Sequence, residues 1–421
     1  MKRAATIATA ILGLLACLNI FAGVHHLFTQ TTTHVDLHLR WVDQQYILRG
    51  QNPYDVCFAA RSGDVQAYEQ KTGRNSRPFA DLGVPQDVGY PPWSFVIGTL
   101  LYWPPWEMLP LWCTAINLAA LGYLAWWASR LAPNARLAML FAVGALACSG
   151  HVGTLRVGQG TIVVLALLAA AHRADCAGRP LVSGLLLGLA LMKPTVAGPF
   201  VLCLLISGRW KALASCVLYL LGASCLIWWQ TGVNPAEMTL QMFEASRRFL
   251  ADGTGPMNLA LRVIPDPGRA SAALSIICLI AATATMYRLC ARPLLELFGI
   301  AAICGRFWTY HRGYDDTAII FLVAALTMLA LETRRPTWFI AAVGVGVTLW
   351  MPGALYSDHT GPVMDAVNVM RMLVWIPGAV LLAVGVYDPP WNSASTNRCG
   401  SKVSMSSGVS PRPTNLTGIF N

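Results

Sequence analysis

Apolar runs separated by short polar connectors fill most of the chain. After Lys2 and Arg3, the first run covers residues 4–24. Others follow at 108–128, 137–150, 161–171, 181–192, 196–206, 213–229, 270–286, 294–304, 317–331, 337–350 and 369–386. A straight membrane-spanning helix needs about 20 apolar residues. Several runs fall short of that, so tilt, breaks and half-helices are expected. The pattern predicts an all-α polytopic integral membrane protein with about 10–12 transmembrane helices. The first run resembles a signal peptide but lacks a persuasive small-x-small cleavage site, so residues 1–24 are expected to remain as a first transmembrane helix.

The stretch 25–92 breaks this pattern, being polar and without a span. Inside it, Val35, Leu39, Val42 and Tyr46 recur at spacings of three and four, which predicts an amphipathic helix over 35–48 lying on the membrane surface. Gly50 and Pro53 end it. A multi-helix membrane domain over 93–387 follows. The tail 388–421, rich in Ser, Pro, Asn and Gly, is expected to be disordered.

Composition narrows the class. Of the 421 residues 55% are hydrophobic and 12% charged, against about 25% charged in soluble domains, which excludes an ordinary soluble enzyme. The net charge of +10 points to topology rather than to nucleic acid, because the cations stand as pairs between apolar runs. The pairs are Arg130/Arg136, Arg173/Arg179, Arg209/Lys211, Arg288/Arg292 and Arg334/Arg335. If 93–103 does not cross, all five fall on the cytoplasmic side, and the polar stretches 25–90, 151–159, 193–195, 233–269 and 309–316 all face outward. Most of the twelve cysteines lie in apolar runs and none forms a CxxC pair, so neither a disulfide framework nor a metal cage is indicated.

A few polar residues in these stretches are candidates for chemistry. Asp36, where the outer loop enters its helix, is placed for a general base or for a helix N-terminal acid favoured by the dipole. Asp43 on the same helix is the reserve candidate. Lys193, inside an apolar stretch and followed by Pro194, suits a phosphate-holding cation or a snorkelling lysine. Arg156 and Gln159 precede a helix whose N-terminus can face an anion. His311 and Arg312 stand at an outer helix start, and Asp315-Asp316 there suit a metal or a second base but read first as caps.

Asp36, Tyr46, Gly50, Pro53 and Tyr54 form the series D-x9-Y-x3-G-x2-PY, and Tyr90-Pro91-Pro92 then opens an apolar run. Further on stand Gly158-Gln159, the run ending Lys193-Pro194-Thr195, Arg209-Trp210-Lys211, and Trp308-x-Tyr310-His311. In order and spacing these resemble glycosyltransferase family 87, with Leu37 where the family usually has an aromatic residue. The resemblance implies a C-type glycosyltransferase fold (GT-C) and a polyprenyl-phosphate-linked sugar donor, with a hexose such as mannose passing to a hydroxyl of a glycan or glycolipid acceptor on the outer face of the plasma membrane. It makes Asp36 the base, and the chemistry of the other candidates adds His311 beside it and Lys193, Gln159, Arg156, Arg312, Tyr90 and Tyr54 as the expected substrate-binding set. A single displacement implies inversion, and the phosphate leaving group demands no metal or other cofactor. The competing class is a transporter or flippase of a lipid-linked or polar solute; a non-catalytic partner in a glycan-assembly complex is a third.

Overall fold

A computed structural model describes residues 2–29, 36–86, 88–247, 256–309, 311–351 and 362–385. The tail expected to be disordered lies outside these residues, as do Tyr310 and parts of the outer loops. Among the described residues the chain is all-α, its one isolated β-bridge joining Phe79 and Gly83.

The first helix, α1 (Lys2–Thr29), runs five residues past the apolar stretch. The polar segment after it folds into α2 (Asp36–Leu48), α3 (Pro53–Ser62) and α4 (Val65–Thr72), then α5 (Ser94–Tyr102). Asn52 caps α3 by accepting from the Tyr54 amide, with Pro53 in the first turn where its missing N–H costs nothing. Gly50, at φ 75°, makes the turn between α2 and α3. The nine residues of α5 rise about 14 Å, half of a hydrocarbon core, so this helix is too short to cross one.

The bundle proper comprises α6 (Leu109–Ser129), α7 (Ala135–Leu146), α8 (Gly150–Val157), α9 (Thr161–Cys176), α10 (Pro180–Ala190), α11 (Pro194–Ile206) and α12 (Trp210–Thr231). Then come α13 (Pro235–Ser246), α14 (Pro256–Val263), α15 (Pro267–Arg288), α16 (Leu294–Phe307), a 3-10 helix (Gly313–Ile319), α17 (Ile320–Thr333), α18 (Pro336–Trp350) and α19 (Pro362–Val384). By length and apolar character six stretches among the described residues can cross a membrane alone: Arg3–Thr29, Leu109–Ser129, Trp210–Thr231, Pro267–Arg288, Gly313–Thr333 and Ala366–Val384. The α7–α8 pair, bent by 50°, makes a seventh if it is one span. The shorter apolar helices α10, α11 and α18 are what carry the sequence count above that.

Helices α9 and α16 are buried along most of their length and α17 along half of it. Between them Phe200, Phe298 and Phe321 pack edge to face with centroids 4.9–5.7 Å apart, and Trp127 joins Phe321 at 5.4 Å. By contrast α1, α12 and α15 expose Leu14, Phe21, Leu218, Trp229, Ile276 and Ile280. Large apolar side chains left outside on long helices are what a lipid-facing rim requires. A membrane offers little hydrophobic drive between helices, so small residues set their approach. At Gly184 of α10 a Cβ would run into the Ala212 carbonyl of α12.

Candidate active site

The end of the bundle that holds α2 gathers five segments far apart in sequence. The first is the N-terminus of α2, which starts with Asp36. It is held in place at the turn between α8 and α9. Gly158 closes α8 at φ 69°, and a Cβ there would sit 2.5 Å from the Cβ of Leu37. Only glycine meets both the left-handed backbone and the close approach of α2. The next residue, Gln159, donates from Nε2 to Asp36 Oδ2 at 2.7 Å across 123 positions. Gln159 in turn accepts from the Tyr90 hydroxyl at 2.9 Å.

A second hydroxyl reaches the same carboxylate from the opposite side of the chain. Tyr314 donates to Asp36 Oδ2 at 3.4 Å. Two glycines of α8 admit it: a Cβ at Gly153 would meet the Tyr314 Cβ at 3.1 Å, and one at Gly150 would meet the Tyr314 carbonyl at 3.1 Å. Asp36 is half-buried under these partners.

Lys193 stands at the break between α10 and α11, where the sequence predicts one, and is 9% exposed. Its ammonium donates to Thr161 at 2.8 Å and to Asp315 Oδ1 at 2.6 Å, while Thr161 donates to the same oxygen at 3.0 Å. His311 Nδ1 lies 3.4 Å from Asp315 Oδ2. Burial lowers the His311 pKa below its ordinary value, and the neighbouring Asp315 only partly offsets that. Asp315 therefore does more than cap: it ties α9, the α10–α11 break and the histidine together. Its neighbour Asp316 is clamped by Arg306 of α16 and by Arg371 of α19, which also donates to the Thr348 carbonyl at 2.9 Å.

The model of the family described as glycosyltransferase family 87 matches residues 89–307, just over half of the chain. The chain belongs to glycosyltransferase family 87. No curated protein and no solved structure matches it. The family match covers Tyr90, Arg156, Gln159, Thr161 and Lys193, whereas Asp36 and His311 to Asp316 lie outside it and join the site through the contacts above.

In this family 87 chain the sequence-selected residues divide. Asp36, Tyr90, Gln159, Lys193 and His311 come together through Tyr314 and Asp315. Arg156 is half-buried on the last turn of α8, and Arg312, also half-buried, contributes its backbone N–H to Asp315. Tyr54 is fully buried beneath the loop, its hydroxyl donating to the Tyr90 carbonyl. Tyr314, Thr161 and Arg40 were not singled out by sequence. Arg40, one turn after Asp36, pairs with Asp43 at 2.9 Å and lies over the Tyr90 ring at 4.7 Å. Its i,i+4 spacing from Asp36 was a signal available in the sequence.

Proposed function

We propose that this membrane glycosyltransferase moves a hexose such as mannose from a polyprenyl-phosphate donor to a hydroxyl of a glycan or glycolipid acceptor. The reaction takes place on the extracytoplasmic side of the plasma membrane, within a C-type glycosyltransferase fold. Asp36 takes the proton of the acceptor hydroxyl as that oxygen attacks the sugar carbon, and the lipid phosphate departs from the opposite face, so configuration inverts. No metal enters the reading, because the leaving phosphate is already a stable anion.

The observation that carries it is Asp36 itself. A carboxylate that accepts hydrogen bonds from Gln159 and Tyr314 is fixed in orientation while still half-buried at the edge of the bundle. Hydrogen-bond donors aimed at a carboxylate hold it in one orientation, as a base requires. Lys193, with Arg156 and Arg312 nearby in sequence elements that converge here, supplies positive potential for the phosphate end of the donor. Tyr90 and Gln159 hold the base, and His311, kept neutral, orders Asp315.

The test is transfer from a labelled polyprenyl-phosphate hexose to membrane acceptors by the full chain in lipid nanodiscs. Asp36→Asn should slow transfer by about a hundredfold or more, with donor binding retained. Transfer at the wild-type rate in that variant would remove Asp36 from the mechanism.

A further inference from the structure

Two cations flank Asp36 in parallel ways, each through a tyrosine. Lys193 Nζ lies 4.8 Å from the centroid of the Tyr314 ring, whose hydroxyl donates to Asp36. The Arg40 guanidinium lies 4.7 Å from the centroid of Tyr90, whose hydroxyl reaches Asp36 through Gln159. Lys193 is bound by Thr161 and Asp315, which belong to two other elements. Arg40 is bound by Asp43, three residues further along its own helix.

Residues 36, 40 and 43 share one face of α2, with about 5–6 Å between the Cβ atoms of Asp36 and Arg40. In a displacement with inversion, base and leaving group stand on opposite sides of the reacting carbon. The corresponding groups in inverting glycosidases are about 6.5–9.5 Å apart. A guanidinium on its long stem, one turn from the base, reaches across that gap. Arginine also meets phosphate oxygens with a planar fork, whereas an ammonium is a point charge. Holding Arg40 and Asp43 at 8% and 1% exposure is a poor source of stability, since desolvation offsets the attraction.

We propose that Arg40 makes the direct contact with the donor phosphate, within the positive potential that Lys193 supplies, and that Asp43 keeps it from pairing with Asp36 before the donor arrives. The inference rests on the lipid-phosphate reading given above. The Arg40 side chain touches the phosphate; Asp43 acts through it as a positioning residue.

Arg40→Gln alone leaves Asp43 buried without its counter-charge and risks misfolding, so the informative variant is Arg40→Gln/Asp43→Asn, which removes both charges. The full chain in nanodiscs is titrated with polyprenyl phosphate and with the uncharged polyprenol. The wild type should prefer the phosphate by about tenfold or more, and the double variant, at an unchanged unfolding temperature, should lose most of that preference. A double variant that keeps the wild-type preference overturns the assignment of Arg40. A wild type without any preference overturns the lipid-phosphate donor itself. Asp43→Asn, measured separately, should weaken polyprenyl-phosphate binding severalfold as Arg40 turns to Asp36; unchanged binding overturns the role given to Asp43.

Discussion

Asp315 shows how a single carboxylate can hold a site together. It accepts from Lys193 and Thr161 on one oxygen and faces His311 with the other. Replacing it by Asn leaves the Lys193 ammonium buried with no counter-charge, a loss of about 3–5 kcal/mol for a broken buried pair. A clear fall in the unfolding temperature of Asp315→Asn is expected, and Lys193→Met/Asp315→Leu, which removes both charges, should recover most of it without recovering sugar transfer. Recovery of transfer by the double variant would make the pair purely structural. His311 gives a pH dependence. Its folded pKa lies below the unfolded value of about 6.5. The stability tied to its neutral form is therefore complete above that value and is lost as pH falls through the folded pKa. Lowering the pH from about 7.5 to 5 should lower the unfolding temperature of the wild type more than that of His311→Gln; equal slopes would show that His311 is not the group responsible.

The turn between α8 and α9 does for elements what Asp315 does for side chains. Gly158→Ala meets two penalties: a left-handed φ, costing about 1 kcal/mol, and the Leu37 Cβ in the space a methyl needs. Gly63→Ala meets the first alone, since nothing lies within 4 Å of it at φ 73°. Both variants should lose similar backbone stability, but only Gly158→Ala should displace α2, and with it Asp36 from Gln159, and cut transfer about tenfold or more. Equal activities would mean that the Leu37 contact does not position the base. The apolar pattern predicted α2 nearly to its ends and the break before Pro194, because both depend on local periodicity and a proline. It put the end of α1 at 24 instead of 29, since helical hydrogen bonds continue into polar residues after the apolar run stops. The short helices α3, α4, α13 and α14, each of 8–12 residues within polar connectors, span too few turns to stand out in the sequence. Within the site, Asp36, Gln159 and Lys193 stood out as polar groups in unusual places. Tyr314 did not, because its partner lies 278 positions away and a half-buried tyrosine near a helix start is common at any membrane boundary.

At the scale of the molecule, charge placement and the position of the site can be tested against each other. The structure brings Asp175 of α9 and Arg209, just before α12, into a 2.9 Å ion pair, so two of the five basic connectors lie side by side. Lys193 stands at the other end of α11 from Arg209, thirteen helical residues away, which is about 20 Å of rise. The site that includes Lys193 and the connector that includes Arg209 are thus on opposite sides of the bundle. On the proposed reading, the excess of Lys and Arg in short connectors puts them in the cytoplasm and Asp36 outside. Alkaline phosphatase, active only outside the cytoplasm, should work when fused within 63–73 or after Gly232, and green fluorescent protein should fluoresce when fused at 132–134, 178 or 208. The opposite pattern would put the site in the cytoplasm. Sugar donors there include soluble nucleotide sugars, so the reversed result would remove the reason for a lipid-linked donor while leaving the Asp36 geometry untouched.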